Sequence, residues 1–451
     1  MITYQEALDY IYSFADVEKV LAGHPVEFEL SRTEALLELL DNPHRRYKAV
    51  HIAGTKGKGS TTAMTESILR SAGYKTGLFT SPHLHSYRER IRVDGQLIGE
   101  DELITLLERL IPYIERVPQL TTFEITTALA FLHFAEKGVE WALLETGLGG
   151  RLDATNVVDP AVVVITLIGY DHTQFLGHRL EEIAQEKAGI IKEGKPVVCA
   201  PQRPTALKVL KGVCRERNAP LTLVGRDWTW ERDGFDLRGQ RVTIRCWKRP
   251  PSPNNALCKD YVNLFIPLLG EHQLVNATTA VATVAELARQ GVIIPPKCVA
   301  QGLKQVPWPG RMEVLNQRPL LVLDGSHNVD SARALTKALL EYFDYQRLIL
   351  ILGFSADKDI RAILRQLLPL AHQVIITRSK HPRAASFELM EEEISAMGCK
   401  PLSSPSVEEA LWQALRSAQE GDLICVTGSL FVMAEARATW LESQGISFER
   451  D

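Results

Sequence analysis

The chain predicts an α/β protein with a mostly parallel-sheet N-terminal domain, a small antiparallel excursion, and a smaller α/β C-terminal domain. Three observations carry this expectation. Short continuous apolar runs alternate with segments of helical spacing, the pattern of strands covered on both faces by crossover helices. That alternation breaks between about residues 227 and 268, where runs such as "RVTIRCW" switch polarity residue by residue, and it restarts beyond "QVPWPGRMEV", whose prolines and glycine mark a junction. At 451 residues the chain also exceeds what one hydrophobic core usually supports, so two domains, 1–306 and 307–451, are expected.

Taken in order, "KAVHIAG" (48–54) is a strand and "STTAMTESILRSAG" (60–73) a helix ended by Gly73. The runs "YKTGLFT", "WALLET", "AVVVITLIG", "KPVVCA" and "PLTLVG" are further strands, with helices such as "EDELITLLERLIPYIERV" between them. Trp- and Arg-bearing runs then form the antiparallel excursion, "RPPSPNNALCKD" a loop, and "EHQLVNATTAVATVAELARQG" a long helix. In the last third "PLLVLDG", "RLILILG", "QVIIT" and "LICVTG" are strands followed by helices, a Rossmann-like arrangement.

Hydrophobic residues make up 45% of the chain and charged residues 24%, which excludes a large disordered fraction. A formal net charge of -4 offers no general attraction to nucleic acid or to an anionic membrane, so neither is expected as a partner and small molecules are. The seven cysteines are scattered without a CxxC pair, which argues for a reducing compartment and against structural zinc. "MITYQEALDYIYSF" does not have the basic-then-apolar form of a signal peptide, and the longest apolar runs are too short to cross a bilayer as helices. The cytoplasm is the expected location.

In open parallel sheets ligands sit beyond the carboxyl ends of the strands, so the residues that follow each strand are the ones to inspect. "HIAGTKGKGSTT" (51–62) departs from GxxxxGK[ST] because Gly59 separates Lys58 from Ser60. Strand, loop and helix nevertheless fall in the order of a P-loop: glycines admit phosphate to the backbone amides, Lys58 reaches the terminal phosphates, and Ser60 or Thr61 can hold Mg²⁺. Glu145, after another strand, is suited to Mg²⁺ or to capping its own turn. His172 in "YDHT" reads as a hydrogen-bonded structural residue and Lys187 in "AQEKAGIIK" as a solvated helix charge. Asp324 and His327 in "DGSHN" suit an acid/base pair, or Asp324 a ribose or a helix cap. His83 and His85 lack the further spacing that zinc needs.

The ordered set "FELSR", "HIAGTKGKGSTT", "TSPHL…ERI", "TTFE", "LETGLGGRLDATN", "YDHT…LG", "IAQEKAGIIK", "LLGEHQLVNATTA", "PWPGRME", "DGSHN" and "TGSLF" resembles the folylpolyglutamate synthase and dihydrofolate synthase family, a branch of the Mur ligases, over nearly the whole chain. The resemblance makes "GTKGKGS" a proper variant phosphate loop. It implies that Gly57, Lys58, Gly59, Ser60 and Thr61 hold ATP phosphates, and that Asn276, Arg311, Asp324 and His327 are further ATP-binding residues. It implies two Mg²⁺ sites, one near Ser60 and one held by Ser81, Glu145 and His172. Lys187 is implied to be carbamylated, which requires an amine whose pKa is pulled down. Lys58, Glu145, His172 and Lys187 would be catalytic, and Thr121, Phe123 and Asp153 would meet a pterin-bearing substrate, with Phe28 to Leu30 beside them.

The implied reaction is ATP-dependent amide formation through an acyl phosphate, adding L-glutamate to dihydropteroate, to reduced folates, or to both. A bifunctional monomer is expected. The competing readings are a single-activity family member, a Mur ligase acting on a UDP-linked precursor, and a nucleotide switch. A UDP-binding α/β domain ahead of the phosphate loop is not visible. Thr146 and Ser326 stand where the family usually has an apolar residue and Ala, and neither is expected to touch the proposed ligand-binding residues.

Overall fold

The computed structural model describes residues 2–15, 28–247 and 257–451. The first sheet contains β1 (Lys48–Ala53), β2 (Thr76–Phe79), β3 (Ile91–Val93), β4 (Gln96–Leu97), β5 (Trp141–Glu145), β6 (Val162–Ile165), β7 (Val197–Cys199) and β8 (Leu221–Leu223). Their spatial order is β4-β3-β2-β5-β1-β6-β7-β8. The six strands from β2 to β8 in that order run parallel, and β3 and β4 add an antiparallel edge. Every residue of β5 and β6 is buried, as the unbroken apolar runs require of strands covered on both faces. Val50, Ile52 and Leu143 pack against the helices Lys58–Ser71 and Glu271–Arg289, whereas Ala49, Phe79 and Leu144 face Glu100–Ile114 and Thr122–Glu136.

The antiparallel excursion is a three-stranded sheet of β9 (Trp228–Asp236), β10 (Gly239–Cys246) and β11 (Tyr261–Ile266), with β10 in the middle. Most of the expected loop "RPPSPNNALCKD", its residues 249–256, lies outside the described residues. The C-terminal domain is built on β12 (Glu313–Gln317), β13 (Leu320–Leu323), β14 (Leu348–Leu352), β15 (Gln373–Ile376), β16 (Leu402–Ser403) and β17 (Leu423–Thr427), in the order β12-β13-β17-β14-β15-β16. All of these are parallel except the edge strand β12. Between the two parts, the helix Pro296–Gln305 ends at the proline-rich stretch and β12 begins at Glu313.

The helix after the phosphate loop starts at Lys58, two residues earlier than its sequence pattern suggests. Gly57 caps it at φ 86°, and the following glycine costs little in a first turn whose amides have no intrahelical acceptor. In the first sheet β1 lies between β5 and β6, so the crevice beyond their carboxyl ends opens at a topological switch point. Among the described residues no helix is long and apolar enough to cross a membrane.

Candidate active site

The loops after β1 and β6 brace each other. The amides of Thr55 and Lys56 donate to the Leu167 carbonyl at 2.8 and 3.0 Å, and the Thr55 hydroxyl meets the Gly169 carbonyl at 3.1 Å. Two glycines are required by space. At Gly57, already at φ +86°, a Cβ would stand 2.3 Å from Asn276 Oδ1; at Gly59 it would stand 2.6 Å from Trp308 Cζ2 and 3.2 Å from Glu145 Oε2. The result is a bare helix N-terminus beside a lysine, a preformed site for an anion.

Glu145 ends β5 and is 4% exposed. Burial pushes its carboxyl up to about 7 against the pull of Lys58, whose Nζ is 3.8 Å from Oε1. The Ser81 amide donates to Oε2 at 3.3 Å. His172 is 40% exposed at its side chain, and partial desolvation by the surrounding loops holds its imidazole below the ordinary 6.5, so it is neutral near pH 7 and available as a ligand. Lys187, in the last turn of the helix Leu180–Ala188, is not a solvated charge: it is 4% exposed, and burial, reinforced by Lys58, pulls its ammonium down to about 7.

One cavity of about 490 Å³ joins these groups. Its walls include Gly57, Lys58, Gly59, Ser60, Ser81, Glu145, His172 and Lys187, then Thr121, Phe123 and Asp153, then Asn276, and from the C-terminal domain Arg311, Asp324 and His327. Thr61 is the exception. Its side chain is fully buried off the cavity, and its hydroxyl has no partner among the described residues.

At the other end of the cavity Thr121 caps the helix Thr122–Glu136, its amide donating to Glu124 Oε2 at 2.6 Å while Glu124 holds Arg32 at 3.2 Å. Phe123 presents its ring to the wall, 5.8 Å from the ring of Phe79. Burial raises the Asp153 carboxyl, partly offset by donors: the Leu148 amide at 2.9 Å and the Thr155 amide at 3.0 Å. Phe28 and Glu29 line this end too.

Asp324 organises the edge of the C-terminal domain, accepting from the Met312 amide at 3.0 Å and the Ser326 amide at 3.0 Å. The Ser326 hydroxyl also donates to it at 2.5 Å, which corrects the expectation that this departure touches no ligand-binding residue. His83 and His85 are engaged by Arg90 and Arg437, and among the described residues no group of three His, Cys, Asp or Glu side chains is gathered as a metal cluster.

The geometry adds residues that the sequence did not single out: Lys56, Asp171, Lys358 and Arg383 on the phosphate side, Arg32 and Arg90 at the other end. Asp171 stands 2.9 Å from Lys56 Nζ and 3.5 Å from Lys358 Nζ; burial would raise its carboxyl, but Lys56 and its other donors hold it well below the usual range. Lys358 follows the strand β14, so inspection of every strand end would have found it.

Residues 52–284 match the Mur ligase middle domain and residues 310–430 the Mur ligase, glutamate ligase domain. Fold and site therefore define a ligase of the Mur class. Among curated relatives, the dihydrofolate synthase/folylpolyglutamate synthase of Bacillus subtilis is 33% identical over 416 residues, 90% of this chain and 94% of that protein. The folylpolyglutamate synthase of Lacticaseibacillus casei is 32% identical over 98% of this chain and 99% of its own. A structure of Mycobacterium tuberculosis folylpolyglutamate synthase complexed with ADP and AMPPCP matches with a TM-score of 0.86 at 30% identity, covering 97% of this chain and 99% of that one. The chain belongs to the dihydrofolate synthase/folylpolyglutamate synthase family.

Proposed function

We propose that this protein is an ATP-dependent ligase that adds L-glutamate to dihydropteroate and to the γ-carboxylate of reduced folates, a bifunctional cytoplasmic monomer acting on small molecules, with its domains divided at residues 306 and 307. The observation that carries the reading is the single cavity of about 490 Å³ onto which the phosphate loop, Glu145, Lys187 and the C-terminal residues Arg311, Asp324 and Lys358 all converge. ATP phosphates would lie on the amides of Gly57, Lys58, Gly59 and Ser60, with Asn276, Arg311, Asp324 and His327 around the rest of the nucleotide. Thr61, being buried, supports the loop from behind.

The residues present fit Mg²⁺. Glu145 is a buried carboxylate whose pKa burial raises despite Lys58 Nζ at 3.8 Å, Ser60, Ser81 and a neutral His172 line the same wall, and Mg²⁺ commonly takes one or two carboxylates and completes its shell with water and phosphate oxygens. Bound there, at two sites, it would neutralise phosphate charge. Lys187 has an amine that can exist unprotonated near pH 7, the requirement for reaction with CO₂ to give a carbamate that would orient the second Mg²⁺.

The acceptor carboxylate attacks the γ-phosphorus, the bond to ADP breaks, and an acyl phosphate forms. The glutamate nitrogen then attacks the carbonyl carbon and loses its proton as phosphate departs from the tetrahedral intermediate. Lys58 stabilises the transferred phosphoryl group, and the protein supplies positioning and charge compensation. Phe123 offers a stacking face and Asp153 acceptor oxygens to the pterin. Lys358 and Arg383, whose Nε is buried without a partner among the described residues, supply positive charge for the carboxylates of glutamate.

The test is ADP release by the purified protein with MgATP and L-glutamate, offering dihydropteroate and tetrahydrofolate separately. Turnover with both is the expected result. Turnover with one would name a single activity, and none with either would reject the reading.

A further inference from the structure

The carboxylate of Asp171 gathers donors from both domains. Oδ2 accepts from Lys56 Nζ of the phosphate loop at 2.9 Å and from Asn328 Nδ2 at 2.7 Å. Oδ1 accepts from the His172 amide at 3.1 Å and faces Lys358 Nζ at 3.5 Å. Asn328 follows β13 and Lys358 follows β14, so the C-terminal domain contributes two of the four partners. A third group of that domain, His327, stands beside the same carboxylate, its Nε2 3.8 Å from Oδ2. His327 Nδ1 lies 2.8 Å from the Gly325 carbonyl, so Nδ1 carries the ring hydrogen and Nε2 is the acceptor, 3.4 Å from Lys56 Nζ. With its Nδ1 hydrogen directed to the Gly325 carbonyl, His327 turns Nε2 toward Lys56 and Asp171.

Without Asp171, Lys56 and Lys358 would converge as like charges on a wall that already holds Lys58 and Lys187. We infer that Asp171 is a positioning residue: it draws one lysine from each domain to a common point on the cavity wall and so fixes the C-terminal domain against the phosphate loop for phosphoryl transfer and glutamate capture. This rests on the ligase reading, which puts the transferred phosphate and the incoming glutamate between those two lysines. The folate end, at Phe123 and Asp153, lies outside the clasp.

Asp171→Asn retains the shape and removes the charge. The expected result is a kcat for glutamate-dependent ADP release lower by about 10²-fold, a raised KM for glutamate, an unchanged KM for the pterin-bearing acceptor, and partial recovery of kcat in Asp171→Glu. Lys358→Met is expected to cost at least about tenfold less in the Asp171→Asn background than in the wild-type protein, because that lysine has already been released. Equal costs in both backgrounds would overturn the inference, as would a wild-type kcat in Asp171→Asn. Should the wild-type protein show no turnover, the ligase reading falls by itself, and the clasp is then decided without substrates. In urea denaturation the same two substitutions are expected to be non-additive, and additivity would reject it.

Discussion

Replacing Lys187 by Met should separate stability from activity. The buried ammonium is held down from its ordinary 10.5 to about 7. At 1.4 kcal/mol per pH unit this costs about 5 kcal/mol of folding stability wherever both states carry the proton, that is, below about pH 7. Between pH 7 and 10.5 the unfolded chain binds the proton and the folded protein does not, so wild-type stability rises with pH across that window. Lys187→Met removes the penalty. Urea denaturation in bicarbonate-free buffer should find the variant more stable than the wild type by several kcal/mol at pH 6, with the gap closing toward pH 10. The same shift sets the chemistry. With a pKa of about 7 roughly 90% of Lys187 is free amine at pH 8, against about 0.3% for an ordinary lysine, so about 300 times more is available to CO₂. Turnover at pH 8 should therefore fall when CO₂ is removed and return with bicarbonate, while Lys187→Met is inactive in both buffers. A stability difference that ignores pH, or full turnover by Lys187→Met, would refute the reasoning.

Other expectations concern the remaining walls. Lys58→Ala or Glu145→Ala should abolish ADP release with an unchanged circular dichroism spectrum, since the first removes a cation at the phosphate and the second the carboxylate that would hold Mg²⁺ there, neither emptying the core; full turnover at saturating Mg²⁺ would contradict the assignment. Gly59→Ala places a methyl group 2.6 Å from Trp308 and 3.2 Å from Glu145, so nucleotide affinity measured by calorimetry should drop about tenfold or more, as for a misplaced phosphate loop. Phe123→Ala should raise the KM for the pterin-bearing acceptor about tenfold, the worth of one aromatic stack, while the KM for ATP stays put; equal changes in both would make Phe123 a packing residue only.

Much of this site is legible in the sequence because parallel α/β sheets expose function at strand ends, where Gly57, Lys58, Glu145, His172 and Asp324 all stand. Local pattern fails where long-range packing decides. "AQEKAG" reads as an exposed helical charge, yet the loop after β5 covers Lys187, with the Arg151 amide donating to the Glu186 carbonyl at 2.8 Å. No window of sequence contains that loop and helix together. Thr61 shows the converse: its hydroxyl sits in the motif, but the helix starts at Lys58 and turns that side chain into the core. Asp171 and Lys358 pair across 187 positions of chain and two domains, and nothing near either announces the other. Ser326 changes a single methyl to a hydroxymethyl, and only the turn around Asp324 shows that the added hydroxyl has an acceptor.

The central claim is an acyl phosphate formed in the cavity between the two domains. It is tested most directly with an acceptor carrying ¹⁸O in its carboxylate, turned over with MgATP and L-glutamate, followed by mass analysis of the phosphate released. The account predicts that one labelled oxygen from each acceptor consumed appears in inorganic phosphate, and only when glutamate is joined. Ligation with unlabelled phosphate, or ADP release that proceeds regardless of acceptor and glutamate, would contradict it.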